Sequence, residues 1–206
     1  MEKELTTKEK IICESLRLFS SKGYNGVSMR EIATAVGIKG ASIYNHFKGK
    51  EDIFLAIFSE MTKQYDEAAT SINLTSQPTE QVIHAFLNID ESQLLSMAEY
   101  LFSFFTQNEF AVMFRKLIIS EQHKSPIAAK CLKEYYLEAP VKYQSQIFKW
   151  IQKQGGFKDY DADTMALHFY SSIYYVLCKY DLGFSYEECL QQIKNHVHTF
   201  CLLYSK

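Results

Sequence analysis

"SMREIATAVGIKGASIYNHFKGKEDIF", residues 28–54, holds two short apolar-periodic segments separated by a glycine turn, then lysines gathered around a tyrosine and a histidine. Ser28 and Glu31 have the spacing of a capping box, and Val27 before the cap with Ile32 in the first turn fits a hydrophobic staple. The helix they open is short, because Gly37 follows Ile32, Ala33 and Val36. A third short helix is expected to turn Ile43 and Phe47 inward and to end near Gly49. Ala33 and Gly37 allow the two helices to approach closely, and Ile32, Val36, Ile38, Ile43 and Phe47 suffice for a small core between them. Helix, glycine turn, short helix is the helix-turn-helix arrangement, whose second helix enters the major groove in proteins that bind DNA. It leaves Lys39, Gly40, Ala41, Ser42, Tyr44, Asn45 and His46 for the outward surface. Residues 36–50 contain three lysines and no acid in a chain of net charge −2, the local excess that phosphate neutralisation needs. Small residues at 40–42 let a helix backbone sit deep in a groove. The same geometry also serves plain packing, and Arg30 either meets a phosphate or pairs with a neighbouring acid.

Outward from this stretch, nearly every periodic segment has a helical period. Thr6 and Glu9 form another capping pair, after which Ile12, Leu16 and Phe19 share one face. Gly23 is expected to take a left-handed position that ends this helix, with Tyr24 folded back on its last turn. Glu51 and Asp52 open a longer helix through Ile53, Ile57 and Met61, their charges matching its positive end. Beyond about residue 70 the helices lengthen. The stretch "QPTE" at 77–80 is a break and restart, and Ser125-Pro126 reads as a cap followed by proline at the first helical position. Pro140 is expected to kink or split the segment it interrupts. Gly155-Gly156 is a stop, with a fresh start near Asp161. No alternating strand pattern bounded by turn signals occurs. The expected class is all-α.

Residues 7–62, and above all 28–54 with the preceding "SKGYNGVS", resemble the DNA-binding domain of the TetR family of bacterial transcriptional regulators. The resemblance implies phosphate contacts from Ser28, from Tyr44 and His46 of the "Y-x-H-F" signature, and from Lys50. It implies base contacts from Lys39, Gly40 and Ala41, with Ser42 and Asn45 nearby. One common form of the family pattern has a small polar cap where Lys39 stands and a lysine where Gly40 stands. The resemblance divides the chain into a DNA-binding domain over 1–65, with the helix-turn-helix at about 28–47, and a ligand-binding and dimerisation domain over 66–206. It implies a homodimer joined through the last two long helices, a double-stranded DNA operator as partner and a small-molecule effector.

The second half supplies candidates for these roles. The last helix, about 186–204, carries Leu190, Ile193, Val197, Phe200 and Tyr204 at spacings of three and four, a narrow seam like that of a helix–helix interface. The helix before it carries Phe169, Ile173 and Val176 on one stripe, and so apolar a helix buries more than one face. These residues are the expected dimer interface, or a deeper core. An apolar cavity is expected from Tyr100, Phe104, Phe105, Phe110, Phe114, Tyr136, Trp150 and His168, although packing is the commoner use of such residues.

The 206 residues and 47% hydrophobic content suit a folded protein. The charged amino terminus lacks the apolar run of a signal peptide, and no run of about 18 uncharged apolar residues suggests a membrane span. Five cysteines without C-x-x-C spacing read as reduced packing residues of a cytoplasmic protein, not as a disulfide frame or zinc site. No phosphate-loop, dinucleotide or H-E-x-x-H motif occurs. No cofactor, metal site or catalytic residue is assigned, so the expected protein is not an enzyme. The expected function is a dimeric, ligand-responsive repressor; the alternative is an all-α adaptor or small-molecule-binding protein without specific operator recognition.

Overall fold

The computed structural model describes residues 4–71 and 91–206, and among these the secondary structure is helical apart from one isolated bridge between Phe157 and Ser205. The "QPTE" break at 77–80 lies outside the described residues. The helices are α1 (Thr7–Lys22), α2 (Met29–Val36), a single 3-10 turn (Ser42–Asn45), α3 (Lys50–Ser71), α4 (Glu91–Gln107), α5 (Glu109–Glu121), α6 (Pro126–Cys131), a π-helical stretch (Leu132–Glu138), α7 (Ala139–Lys153), α8 (Ala162–Asp181) and α9 (Tyr186–Tyr204).

The helix starts follow local chemistry. Both capping boxes form at Thr6 and Ser28, and a third forms at Ser185 with Glu188. Ser125 caps α6 ahead of Pro126, and Asp161 caps α8 by accepting from the Thr164 amide. Gly23 ends α1 at positive φ (75°) but with ψ 155°, an extended glycine conformation instead of the expected left-handed helical one. Pro140 does divide its segment. It lacks the N–H that would reach the Tyr136 carbonyl, and the backbone just before α7 widens to the π spacing. The expected third helix is shorter than the sequence suggested, with one tight turn made by bonds such as Ser42 N–H to Lys39 O at 2.8 Å. Gly40, Ser42, Tyr44 and Asn45 are poor helix formers with little else to propagate a turn.

Two compact units result. The first comprises Met1–Tyr65 and Glu109–Leu132. Its core joins Ile11, Leu16 and Phe19 of α1, Ile32 of α2, Ile43, and Ile53 and Ile57 of α3. α5 packs against α1, and an aromatic chain runs Phe19–Phe54–Phe58–Phe114, with ring centroids 6.3, 4.8 and 5.3 Å apart. The sequence reading assigned residues 109–132 to the domain over 66–206. In the structure α5 packs on α1, presenting Phe110, Phe114, Leu117 and Ile118 as a buried stripe, and α6 packs on α5. The second unit comprises Asp66–Asn108 and Lys133–Lys206. In it α8 packs on α7, α9 and α4, and α9 also packs on α4. Phe148, Phe157, Phe169 and Phe200 meet at its centre, with Phe169 and Phe200 at 4.9 Å.

Candidate nucleic-acid interface

The helix-turn-helix displays one continuous polar face. Ser28 Oγ donates to Glu31 Oε2 at 2.9 Å and accepts from the Glu31 amide at 3.2 Å. Lys22 Nζ lies 3.2 Å from the other Glu31 oxygen. The Ser28 backbone and hydroxyl bonds, and then the Lys22 ammonium, hold the Glu31 carboxyl below the usual carboxylate range. The Glu31 carboxylate is thus committed to the cap.

Past the left-handed Gly37 (φ 77°), Lys39, Gly40 and Ala41 are exposed, Ser42 is half-buried, and Tyr44, Asn45 and His46 are exposed, Tyr44 by 58%. Ile43 and Phe47 point inward, at 0% and 5% exposed. Val36 and Ile38, expected in the same small core, are only half-buried. A Cβ added at Gly40 would meet nothing within 4 Å, so nothing inside the protein demands glycine there. Arg30 is exposed on α2.

Lys50 is not a free surface cation. Its Nζ donates to the Tyr24 carbonyl at 2.8 Å and lies 4.5 Å from the centroid of the Tyr24 ring. Such a contact fixes one N–H of the ammonium and leaves two for another partner. Lys48, exposed beside it, completes the acid-free stretch; its amide donates to Asp52 Oδ2 at 3.0 Å. Lys48 is the third lysine of residues 36–50, and the Tyr24 contact under Lys50 spans 26 residues, beyond the reach of local sequence pattern.

The expected cavity residues do not form one group. Phe110 and Phe114 are core of the first unit. In the second, Phe104, Phe105 and Tyr136 do meet, with centroids 5.2 Å apart for Phe104–Phe105 and 5.4 Å for Phe105–Tyr136. Tyr100 is exposed and Trp150 half-buried. His168 is exposed with its Nδ1 3.0 Å from the Tyr204 hydroxyl.

Most of the expected dimer seam lies in the interior of the chain. Phe169, Val176, Ile193, Val197 and Phe200 are buried within the single chain, so they join α8 to α9 and cannot form an outer surface; Ile173, Leu190 and Tyr204 are half-buried. The outward apolar residues of the same two helices are Leu167, Tyr175, Leu202 and Leu203, with Leu182 just past the end of α8. Beside Tyr175 lies an open cleft of about 420 Å³, lined also by Ser171, Ser172, Val176, Gln192 and His196. Among the described residues no group of three or more His, Cys, Asp or Glu is arranged to hold a metal ion, and no helix is long and apolar enough to cross a membrane.

A three-helix head with a capped second helix, a glycine turn and an outward, acid-free third segment defines a helix-turn-helix protein. Residues 11–57 match the family described as bacterial regulatory proteins, tetR family. Residues 11–57 thus carry the helix-turn-helix domain of that family, at the amino-terminal end, and a helical region follows it. Among curated proteins it is 37% identical over 81 residues to YttP of Bacillus subtilis, named as a probable HTH-type transcriptional regulator; the match spans 38% of this chain and 39% of YttP. It is 47% identical over 47 residues to IcaR of Staphylococcus epidermidis, a negative transcriptional regulator of the biofilm operon icaADBC, spanning 23% of this chain and 25% of IcaR. The chain thus aligns with well under half the length of these relatives. Among solved structures, a candidate TetR-family regulator from Mesorhizobium loti superposes with a TM-score of 0.73 at 22% identity, covering 97% of both chains. SmeT in complex with triclosan superposes with a TM-score of 0.71 at 13% identity, covering 97% of this chain and 92% of SmeT; SmeT is the repressor of a Stenotrophomonas maltophilia multidrug efflux pump. At these identities the likeness is one of fold.

Proposed function

We propose that the protein is a ligand-responsive transcriptional repressor that binds a palindromic operator as a homodimer and is released by a small, largely apolar effector. The observation that carries this reading is the face formed by Ser28, Arg30, Lys39, Gly40, Ala41, Ser42, Tyr44, Asn45, His46 and Lys50, which is mostly exposed and includes the acid-free stretch 36–50 with its three lysines. Ser28 stands at the positive end of α2, where a phosphate is favoured; its hydroxyl, which donates to Glu31 Oε2 in the cap, must turn from that carboxylate to meet one. Lys50 and the Tyr44 and His46 side chains hold the backbone, and residues 39–42 with Asn45 face the bases. Gly40 has no internal reason to be glycine, which suits a backbone pressed against a groove.

Dimerisation is supported by the outer face of α8 and α9. Residues 164–178 contain no Asp, Glu, Lys or Arg, yet Leu167 is 57% and Tyr175 64% exposed, and on α9 Leu202 is 67% exposed. A second copy related by a twofold axis covers such a face. Twofold symmetry then sets two reading heads against half-sites one helical turn or a multiple apart. Repression is supported by the description of IcaR as a negative regulator and an apolar effector by the triclosan complex of SmeT. The Phe104–Phe105–Tyr136 group beside the π-helical stretch is the proposed effector surface. The effector acts by differential affinity for two tilts of α3, only one of which keeps both heads in register.

Selection of duplexes from a random-sequence library by the purified protein tests the reading. Enrichment of one palindrome is expected; uniform, weak and salt-sensitive retention of any duplex overturns it in favour of a scaffold without operator recognition.

A further inference from the structure

Tyr24 stands just after α1, and three elements converge on it. Its backbone N–H donates to Glu121 Oε1 at 3.2 Å across 97 residues of sequence. Its carbonyl accepts from Lys50 Nζ at 2.8 Å. Its ring packs against Phe19 and Phe54 at 5.1 and 5.0 Å, with the Lys50 ammonium over it. Glu121 is the last residue of α5 and only 4% exposed. A buried carboxylate is costly to place and is retained only where hydrogen bonds engage it. The preceding residue, Gly23, is required by its φ of 75°; a Cβ there would lie in ordinary contact with the same Glu121 oxygen, at 3.4 Å.

We infer that Glu121 is a positioning residue for DNA docking: it fixes Tyr24, the carbonyl and ring of Tyr24 fix the Lys50 ammonium, and that ammonium is set in place for a phosphate. The inference rests on the DNA-binding reading above and adds a route by which it is regulated. Glu121 never touches DNA. It closes a helix that begins at Glu109, with only Asn108 between it and the end of α4 at Gln107. A displacement of α5 along its axis withdraws the carboxylate from the Tyr24 amide. The turn after α1 then loosens, and Lys50 returns from one fixed position to the many rotamers of a solvated lysine, which a phosphate must order afresh.

The test measures affinity as a function of salt for a duplex that the wild-type protein selects from a random library. Glu121→Gln keeps an oxygen that accepts from the Tyr24 amide and is expected to bind within about twofold of wild type. Glu121→Ala is expected to lose roughly ten- to a hundredfold, the scale of a hydrogen bond to a charged group. Its slope of log affinity against log salt should fall by about one, as for a lost phosphate contact. The Glu121→Ala/Lys50→Ala double variant should bind no more weakly than Lys50→Ala, because both substitutions remove the same interaction. Circular dichroism checks each fold; if Glu121→Ala is unfolded, Glu121→Asp withdraws the same carboxylate by one methylene and carries the same slope prediction. An unchanged salt slope, or additive losses in the double variant, overturns the inference while leaving DNA binding intact. Failure of the wild-type protein to select any duplex overturns the DNA reading and this inference with it.

Discussion

His196 lies half-buried in α9, its Nε2 2.9 Å from the Phe169 carbonyl. A carbonyl only accepts, so Nε2 carries the proton and the neutral ring suits the site. Burial pushes the pKa below the ordinary 6.5; the Phe169 carbonyl opposes that shift, and His168, with ring centroids 5.8 Å apart, adds to it. The folded state therefore binds this proton more weakly than the unfolded chain does. The contribution of His196 to stability is complete above about pH 6.5 and is lost as pH falls from there through the lower folded value. Melting temperatures of the wild type and of His196→Gln, whose amide can still donate to the carbonyl, are expected to diverge in this sense. The wild type loses more on acidification from about pH 7.5 to about pH 5. Equal losses in both proteins would show that other groups govern the acid limb. Nothing in the sequence marked His196: a histidine two residues from His198 on a helix gave no sign that a carbonyl of another helix lay within reach.

Among the elements, α2 is the one on which the interface depends, and its end is as sharply built as its start. The Ile38 amide donates to the Ala33 carbonyl at 2.9 Å and the Gly37 amide to the Thr34 carbonyl at 3.1 Å, the paired bonds of a Schellman motif with glycine left-handed between them. Gly37→Ala has room for its methyl group and pays only in backbone strain, about 1 kcal/mol. Gly37→Asn is expected to cost less, since asparagine tolerates this conformation better. Urea midpoints at unchanged m-value check both; an alanine variant as stable as wild type would mean that the turn relaxes to another conformation. This element was legible because caps and stops are written within a few residues: Thr6 with Glu9, Ser28 with Glu31, Ser125-Pro126, Asp161 and Gly37 all act locally. The segment after it was less so. The spacing of Ile43 and Phe47 fits an α-helical turn and a 3-10 turn alike, and only tertiary burial of those two side chains decides between them. The candidate interface residues could be picked out as a set because the lysines and the signature are contiguous, whereas the contacts of Lys50 with Tyr24, and of Tyr24 with Glu121, join distant parts of the sequence and could not.

At the scale of the molecule, the seam of Ile193, Val197 and Phe200 illustrates a limit of periodicity. Spacings of three and four say that a helix packs against another helix, and they are silent on whether that helix belongs to the same chain. Here the partner is α8 of the same protomer. The two faces of these helices predict different failures. Tyr175→Glu puts a charge on the outer face and is expected to yield a folded monomer in sedimentation with much weaker operator binding. Ile193→Ala empties a fully buried site and is expected to lose about 2–5 kcal/mol of stability without selectively dissociating a dimer. A Tyr175→Glu protein that sediments as wild type would move the subunit interface elsewhere. The insertion of Glu109–Leu132 into the first unit has a further consequence for synthesis. Phe58 meets Phe114 across this insertion, so the amino-terminal segment cannot complete its interior when Tyr65 leaves the ribosome. It must wait, partly open, until α5 has been translated, and a fragment cut after Tyr65 would carry that same uncovered aromatic surface for good.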